Sequence, residues 1–357
     1  MAQSTAMVGG AGANSYANNS TAQRDAVTTA KEAMAEALIE VLDISAFLSN
    51  GSKNLVTIAD LGCSVGPNTH IAMQTIIDIV TTKCHLQGID PKTIEFQVLF
   101  NDQNTNDFNT LFASMSGDKN YFAAGVPGSF YDRLFPTSSI HIAYSASSLH
   151  WLSRVPEELE DENSPAWNKG RIHYTNAPEP VVKAYAKQYE KDIDAFLRAR
   201  AKEMVPGGVI VMLMPGVCDG VLRHDIGVSI DFLGSILMDM VKEGMLKQHQ
   251  VDSFNIPHVY PSMKQMKRFV ENNGSFRIVK MELQNAWLNK EAPIDMVTAI
   301  MHLRAFTEMT IASHMGCEII EPLFAKALQR KQKLSDMLYD AGHKIGLRYL
   351  FTILQRT

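Results

Sequence analysis

The chain has 357 residues, and 33 Lys+Arg against 38 Asp+Glu leave a formal charge of −5. With 46% hydrophobic and 20% charged residues it has the composition of a globular protein, which excludes disorder as its main state. The mildly acidic balance supplies no broad cationic field, so no nucleic-acid partner is expected.

At about 100–200 residues per domain, the length fits one large domain or one core with a cap. The first twenty residues carry neither a basic nor an apolar leader region, which argues against a signal peptide. Val209 to Met214, the longest apolar stretch, is far shorter than the ~20 residues needed to cross a bilayer. Cys63, Cys84, Cys218 and Cys317 are far apart and read as reduced thiols, so a cytoplasmic protein with no membrane partner is expected.

From Thr21, the positions Val27, Ala30, Met34, Ala37, Leu38 and Val41 recur at helical spacing. Ser20 and Gln23 fit the S-x-x-Q capping box that opens such a helix. Leu55–Ala59 reads as a strand running into Asp60-Leu-Gly-Cys-Ser-Val-Gly-Pro-Asn68, and a helix is expected from Thr69 to about Cys84 with Ile71, Gln74, Ile77 and Val80 in its stripe. The next strand, Ile94–Phe100, ends at Asn101-Asp102. Strand, glycine turn, helix, strand and acid together make the βαβ opening of a nucleotide-binding sheet.

Further strands are expected at Ile140–Tyr144, Val209–Met214, Phe276–Leu283 and Leu347–Leu354, and a helix from Val181 to Met204. This is a mixed α/β sheet. The stretches 152–180, 215–275 and 285–345 are mostly helical by pattern and read as a cap. Residues 1–151, 181–214, 276–284 and 346–357 then form the core.

The turn after the first strand departs from G-x-G-x-x-G, because Cys63 and Ser64 stand where the central glycine would be. A ligand without a pyrophosphate, such as S-adenosylmethionine, fits it better, and Asp102 is placed to accept ribose hydroxyls. The competing reading is a tight turn followed by a surface acid. No HExxH and no GxxxxGK[ST] occurs, and Gly125-Val-Pro-Gly-Ser129 is not a GxSxG elbow, so zinc, P-loop and serine-hydrolase chemistry have little support.

Several segments carry a family resemblance: Gly9 to Tyr16, Ala59 to Asn68, Phe100 to Gln103, Asn106 to Asn109, Val126 to Tyr131, Leu149-His-Trp-Leu152 and Asp252 to Pro257. In order and nearly end to end, the chain resembles the plant SABATH methyltransferases. The resemblance implies a class I methyltransferase fold: a Rossmann-like, mixed seven-stranded sheet with an α-helical cap. It also implies S-adenosylmethionine as cofactor, S-adenosylhomocysteine as its product, and a homodimer. The activity implied is methyl-ester formation on a small-molecule carboxylic acid, or alternatively N-methylation of an alkaloid or xanthine-like nitrogen. A binding protein that keeps the fold without transfer is a further alternative, against which the intact turn and Asp102 speak.

By the same resemblance, Tyr16, Asp60, Gly62, Cys63 and Asn68 hold the cofactor, Asp102 and Gln103 meet ribose and adenine, Ser129 and Phe130 close over the adenine, and Ser145 meets the methionine end. Gln103 stands where the family often has Leu, which implies a polar adenine contact. Gln23 and Trp151 match the pair that grips the carboxylate, and His150 is a second substrate contact. Without the resemblance, Gln23 is a helix cap, Trp151 a core aromatic and His150 a buried histidine. Ser147 replaces a tyrosine that often lies against the substrate, which favours a bulkier or more polar acid. A magnesium site would fall on Asn168, Asp252, Phe254 and Asn255.

Overall fold

The computed structural model describes residues 7–10, 12–49, 54–115, 119–285, 295–340 and 348–357. Ala11 of the N-terminal motif, part of the 285–345 cap stretch and the expected strand start at Leu347 lie outside them.

Seven strands form one sheet: β1 (Leu55–Leu61), β2 (Glu95–Asp102), β3 (Phe122–Pro127), β4 (Ile140–Ala146), β5 (Met204–Pro215), β6 (Phe276–Asn285) and β7 (Arg348–Arg356), in the order β3-β2-β1-β4-β5-β7-β6. β1 to β5 pair in parallel, and β7 is antiparallel to β5 and β6. This is the mixed seven-stranded sheet implied above. β3 escapes the residue pattern because it is an edge strand of Ala, Gly and Pro with no β-branched run, and its Phe122 faces solvent.

Helices cover both faces. Along β5, Val209, Val211 and Leu213 pack on one side while Ile210, Met212 and Met214 pack on the other, the period of two that a doubly covered strand requires. The first side holds α2 (Thr21–Val41), preceded by the single turn α1 (Tyr16–Asn19), then α3 (Ile44–Ser49) and α4 (Pro67–Leu86), with α5 (Phe108–Ala113) at the edge. α2 buries Ala30, Met34, Ala37 and Leu38 as its spacing predicts. On α4 the stripe is shifted: Ala72, Met73, Ile76, Ile77 and Val80 are buried, while Ile71 is 50% exposed and Gln74 bonds Asp78 at the surface. Packed against both α2 and β1, α4 buries a wider and rotated face.

α6 (Glu179–Glu203) and α9 (Met263–Asn273) cover the second side. Although α9 falls within the 215–275 stretch, it packs on α6 and β6 and belongs with the sheet. The remaining helices, α7 (Asp225–Lys242), α8 (Gln248–Asp252), α10 (Met296–Met315), α11 (Ile320–Gln329) and α12 (Lys331–Asp340), share a separate apolar cluster. That cluster is the cap. Among the described residues no helix is long and apolar enough to cross a membrane.

Candidate active site

β1 lies between β2 and β4, so its carboxyl end is the switch point of the sheet, where open α/β sheets form their ligand crevice. Gly62 there has φ +87°, and a Cβ on it would stand 2.1 Å from Ser148 Oγ. Only glycine fits. The Gly62 and Cys63 N–H groups donate to Asn101 O at 2.8 and 3.0 Å, and Ser64 N–H donates to Asp102 Oδ2 at 2.8 Å. The turn is thereby fixed to the end of β2. Pro67 opens α4, and Gly66 before it supplies no side-chain cap, so the first-turn N–H groups keep an electropositive edge.

Asp60, Gly62, Cys63, Asn68, Tyr16 and Gln23 line a cleft of about 420 Å³ at this turn, together with Ser64 and Tyr144. Asp60 shares strand parity with Val56 and Ile58 and so faces α4, where its carboxylate accepts from the Thr69 hydroxyl. Burial raises its pKa to about 7; the Thr69 bond opposes that rise and Asp102 adds to it. Asn68 is tied to α2: its Nδ2 donates to Ser20 O (3.1 Å) and Oγ (3.0 Å), and its Oδ1 accepts from Arg24 Nε.

Asp102, Gln103, Ser129 and Phe130 come together at the ends of β2 and β3. Gly128 N–H donates to Asp102 O at 2.9 Å, and the Phe130 ring stands 3.6 Å from where a Cβ on Gly62 would be. Burial holds the Asp102 carboxyl above its usual range, while N–H bonds from Ser64 and Gln103 oppose that. A buried ion pair supports this loop from α6. Arg200 Nε donates to Glu203 Oε2 at 2.7 Å, its other nitrogens donate to Phe130 O and Asp132 O, and Glu203 Oε1 accepts from the N–H groups of Leu134 and Phe135. Ser145 departs from expectation. Its hydroxyl donates to Leu61 O inside the sheet, and its neighbours Tyr144 and Ala146 line the cleft instead.

A second cavity, of about 310 Å³, shares Tyr16 and Gln23 with the cleft. Gln23, His150 and Trp151 do meet there, with Ser147 and residues that no sequence pattern indicated: Met7, His258, His302, Phe306 and Tyr349. Val8 N–H donates to Ala305 O, so the N-terminal segment is held against α10. The capping-box reading of Gln23 does not hold. Ser20 has φ −103° and ψ 31°, not the extended geometry of a cap, and its oxygens are taken by Asn68. Gln23 Nε2 instead donates to His302 Nε2 at 3.4 Å. His302 Nδ1 must carry its proton, because it donates to Asn19 O at 2.8 Å, which leaves Nε2 as the acceptor. One amide N–H and Oε1 of Gln23 remain for a ligand.

Burial lowers the His150 pKa to about 3, with His224 and His302 adding to the effect, and it holds His258 well below the usual histidine range. Among the described residues the cavity lining contains neither lysine nor arginine, so the donors it offers are neutral.

Asn168, Asp252, Phe254 and Asn255 also converge, as a clasp. Asn168 Nδ2 donates to Asn255 Oδ1 at 2.8 Å and to His173 O at 3.2 Å, and Asp252 Oδ1 accepts from Gly170 N–H and Gln248 Nε2, both at 2.7 Å. The Phe254 ring is core of the cap. A single carboxylate, already taking two donors in a buried setting, does not fit a magnesium ion. Among the described residues no three His, Cys, Asp or Glu side chains converge on a point. The cluster's task is to join the 168–173 loop to the segment that carries His258.

Comparison with known proteins agrees with this geometry. Loganic acid O-methyltransferase of Catharanthus roseus is 43% identical over 322 residues, covering 89% of this chain and 85% of that protein. Farnesoic acid carboxyl-O-methyltransferase of Arabidopsis thaliana is 38% identical over 357 residues, covering 99% of each. A solved structure of a loganic acid methyltransferase with S-adenosylhomocysteine superposes with a TM-score of 0.91 at 39% identity, covering 98% of both chains. The model of the SAM-dependent carboxyl methyltransferases matches residues 2–356, and the chain belongs to that family.

Proposed function

We propose that this enzyme turns a small-molecule carboxylic acid into its methyl ester, with Gln23 and Trp151 orienting the carboxylate. The observation that carries this reading is the uncharged acceptor cavity, walled by Gln23 and Trp151 and sharing Tyr16 and Gln23 with the cofactor cleft. S-adenosylmethionine supplies the sulfonium methyl. Its cradle fits: a glycine turn that admits no Cβ, an electropositive helix edge, and the buried Asp60 as counterion for the cofactor's positive end.

The remaining work falls to positioning. A carboxylic acid of pKa near ~4.3 is already ionised at neutral pH, so no general base is needed. The neutral histidines suit this, since burial keeps them from bringing positive charge to the carboxylate. Gln23 and the Trp151 indole N–H hold one oxygen and leave the other to attack, which is proximity and desolvation catalysis. A neutral grip also leaves the nucleophilic carboxylate less stabilised than a lysine or arginine would. A cytoplasmic homodimer is part of the proposal: the four unpaired cysteines support the compartment, and the family resemblance supports the dimer.

Trp151→Ala and Gln23→Ala are expected to lower kcat/KM by about 10²-fold or more while affinity for S-adenosylhomocysteine persists. Full activity of both variants on the true substrate would refute the assignment. Transfer to nitrogen is separated by base treatment, because an ester hydrolyses and an N-methyl product does not.

A further inference from the structure

Two ring nitrogens in the acceptor cavity have no hydrogen-bond partner within the protein: His150 Nδ1 and His258 Nε2. Both residues are buried, at 5% and 1% exposure. Leaving such an atom unpaired costs ~1–3 kcal/mol, so two of them in one cavity call for a ligand that satisfies them.

Neither ring is free to turn away. The His258 backbone bridges Trp151, Leu152 N–H donates to Pro257 O at 2.7 Å, and Val259 N–H donates to His150 O at 2.8 Å. The His258 ring stands edge-on to Trp151 with centroids 3.9 Å apart, and it stacks on Phe306 at 5.4 Å and 19°. Its Nδ1 faces the Tyr260 hydroxyl at 3.3 Å, which leaves Nε2 as the open atom. The His150 ring packs against it at 4.7 Å.

We infer that His150 and His258 form a specificity subsite for an alcohol hydroxyl on the acid, so that the substrates of this enzyme are hydroxylated carboxylic acids rather than hydrocarbon ones. The inference rests on the carboxyl-transfer reading above and adds its substrate class. A hydroxyl both donates and accepts, so it pairs with either tautomer of either ring, whereas an alkyl group pairs with neither. Sites built around a substrate hydroxyl discriminate strongly against the analogue that lacks it, because binding the analogue strands their own polar atoms.

The test screens a broad panel of plant acids with labelled S-adenosylmethionine. The panel includes matched pairs: hydroxycyclohexanecarboxylate and cyclohexanecarboxylate, and hydroxydecanoate and decanoate. The expected result is that every acid turned over well carries a hydroxyl, with kcat/KM above that of its deoxy partner by on the order of 10²-fold. His258→Phe keeps the ring shape and is expected to shrink that ratio to within about tenfold by slowing the hydroxylated acid, while His258→Gln retains part of it. Binding of S-adenosylhomocysteine, measured by calorimetry, reports folding of each variant. Equal turnover of both members of the pairs by the wild type overturns the inference and leaves carboxyl transfer standing. So does an equal loss on both members in His258→Phe with cofactor binding intact. Absence of ester from any acid, with cofactor bound, overturns both readings.

Discussion

The cofactor cleft and the acceptor cavity share two side chains yet are built on different plans. The cleft is made from strand ends and backbone. Gly62, Cys63 and Ser64 are fixed to the end of β2, and the Arg200–Glu203 pair clamps the neighbouring loop through main-chain groups. The cavity is made from single side chains: Met7 before the first helix, Gln23 on α2, Ser147 after β4, His258 before α9, His302 on α10 and Tyr349 on β7. The cleft is a rigid seat for a constant ligand. The cavity can change one residue at a time without disturbing the sheet.

This contrast can be broken most forcefully at Arg200. Arg200→Ala leaves the Glu203 carboxylate buried and unpaired and releases the 130–135 loop, so unfolding stability should fall by about 3–5 kcal/mol in denaturant titration. A change below ~1 kcal/mol would mean that the pair does not clamp the loop. At Gly62, alanine meets both a positive φ and the Ser148 hydroxyl, and should lower cofactor affinity and stability by about 1–3 kcal/mol. Adding Ser148→Gly should recover the steric part of that loss but not the backbone part. No recovery would show that the close approach is not the cause.

Asp60 gives a smaller, pH-dependent effect. Its pKa, raised to about 7 by burial, means that a cationic ligand finds it ionised only above neutrality. S-adenosylmethionine affinity should therefore weaken as pH falls below about 7, by at most ~10-fold per unit, and Asp60→Asn should flatten the profile. For folding the sign is opposite. The unfolded carboxyl ionises at lower pH, so without ligand the contribution of Asp60 to stability falls as pH rises from about 4 to about 7 and is level above. The smallest effect is expected at His302, which acts through Gln23. His302→Leu should remove one hydrogen bond, about 0.5–1.5 kcal/mol in kcat/KM for the acid, while cofactor affinity is unchanged. An equal loss of cofactor affinity would place His302 outside the role of orienting Gln23.

The same contrast governs what the sequence reveals. Asp60 to Asn68, Asp102 and the 126–131 segment are contiguous runs whose residue types are dictated by a turn, a helix start and a ribose acceptor, so they can be recognised in order. His258, His302 and Tyr349 have no local signature, because what makes them functional is convergence in space from distant parts of the chain, 279 residues apart for Gln23 and His302. Ser20 and Gln23 mislead because a capping box is only a spacing, and α1 directly before α2 removes the extended geometry that the box needs. The rotated face of α4 and the small-residue edge strand β3 fail for a related reason: tertiary packing set both, and neither left a clean period.

The central claim is methyl transfer to a carboxylate oxygen in the cavity walled by Gln23 and Trp151. The most direct measurement is the fate of the label after turnover of the preferred acid with methyl-labelled S-adenosylmethionine. Mild base should release all of the label as methanol and return the original acid, and mass measurement before base should show one added methyl group. Label that stays on the product after base treatment would place the transfer on another atom and contradict the account.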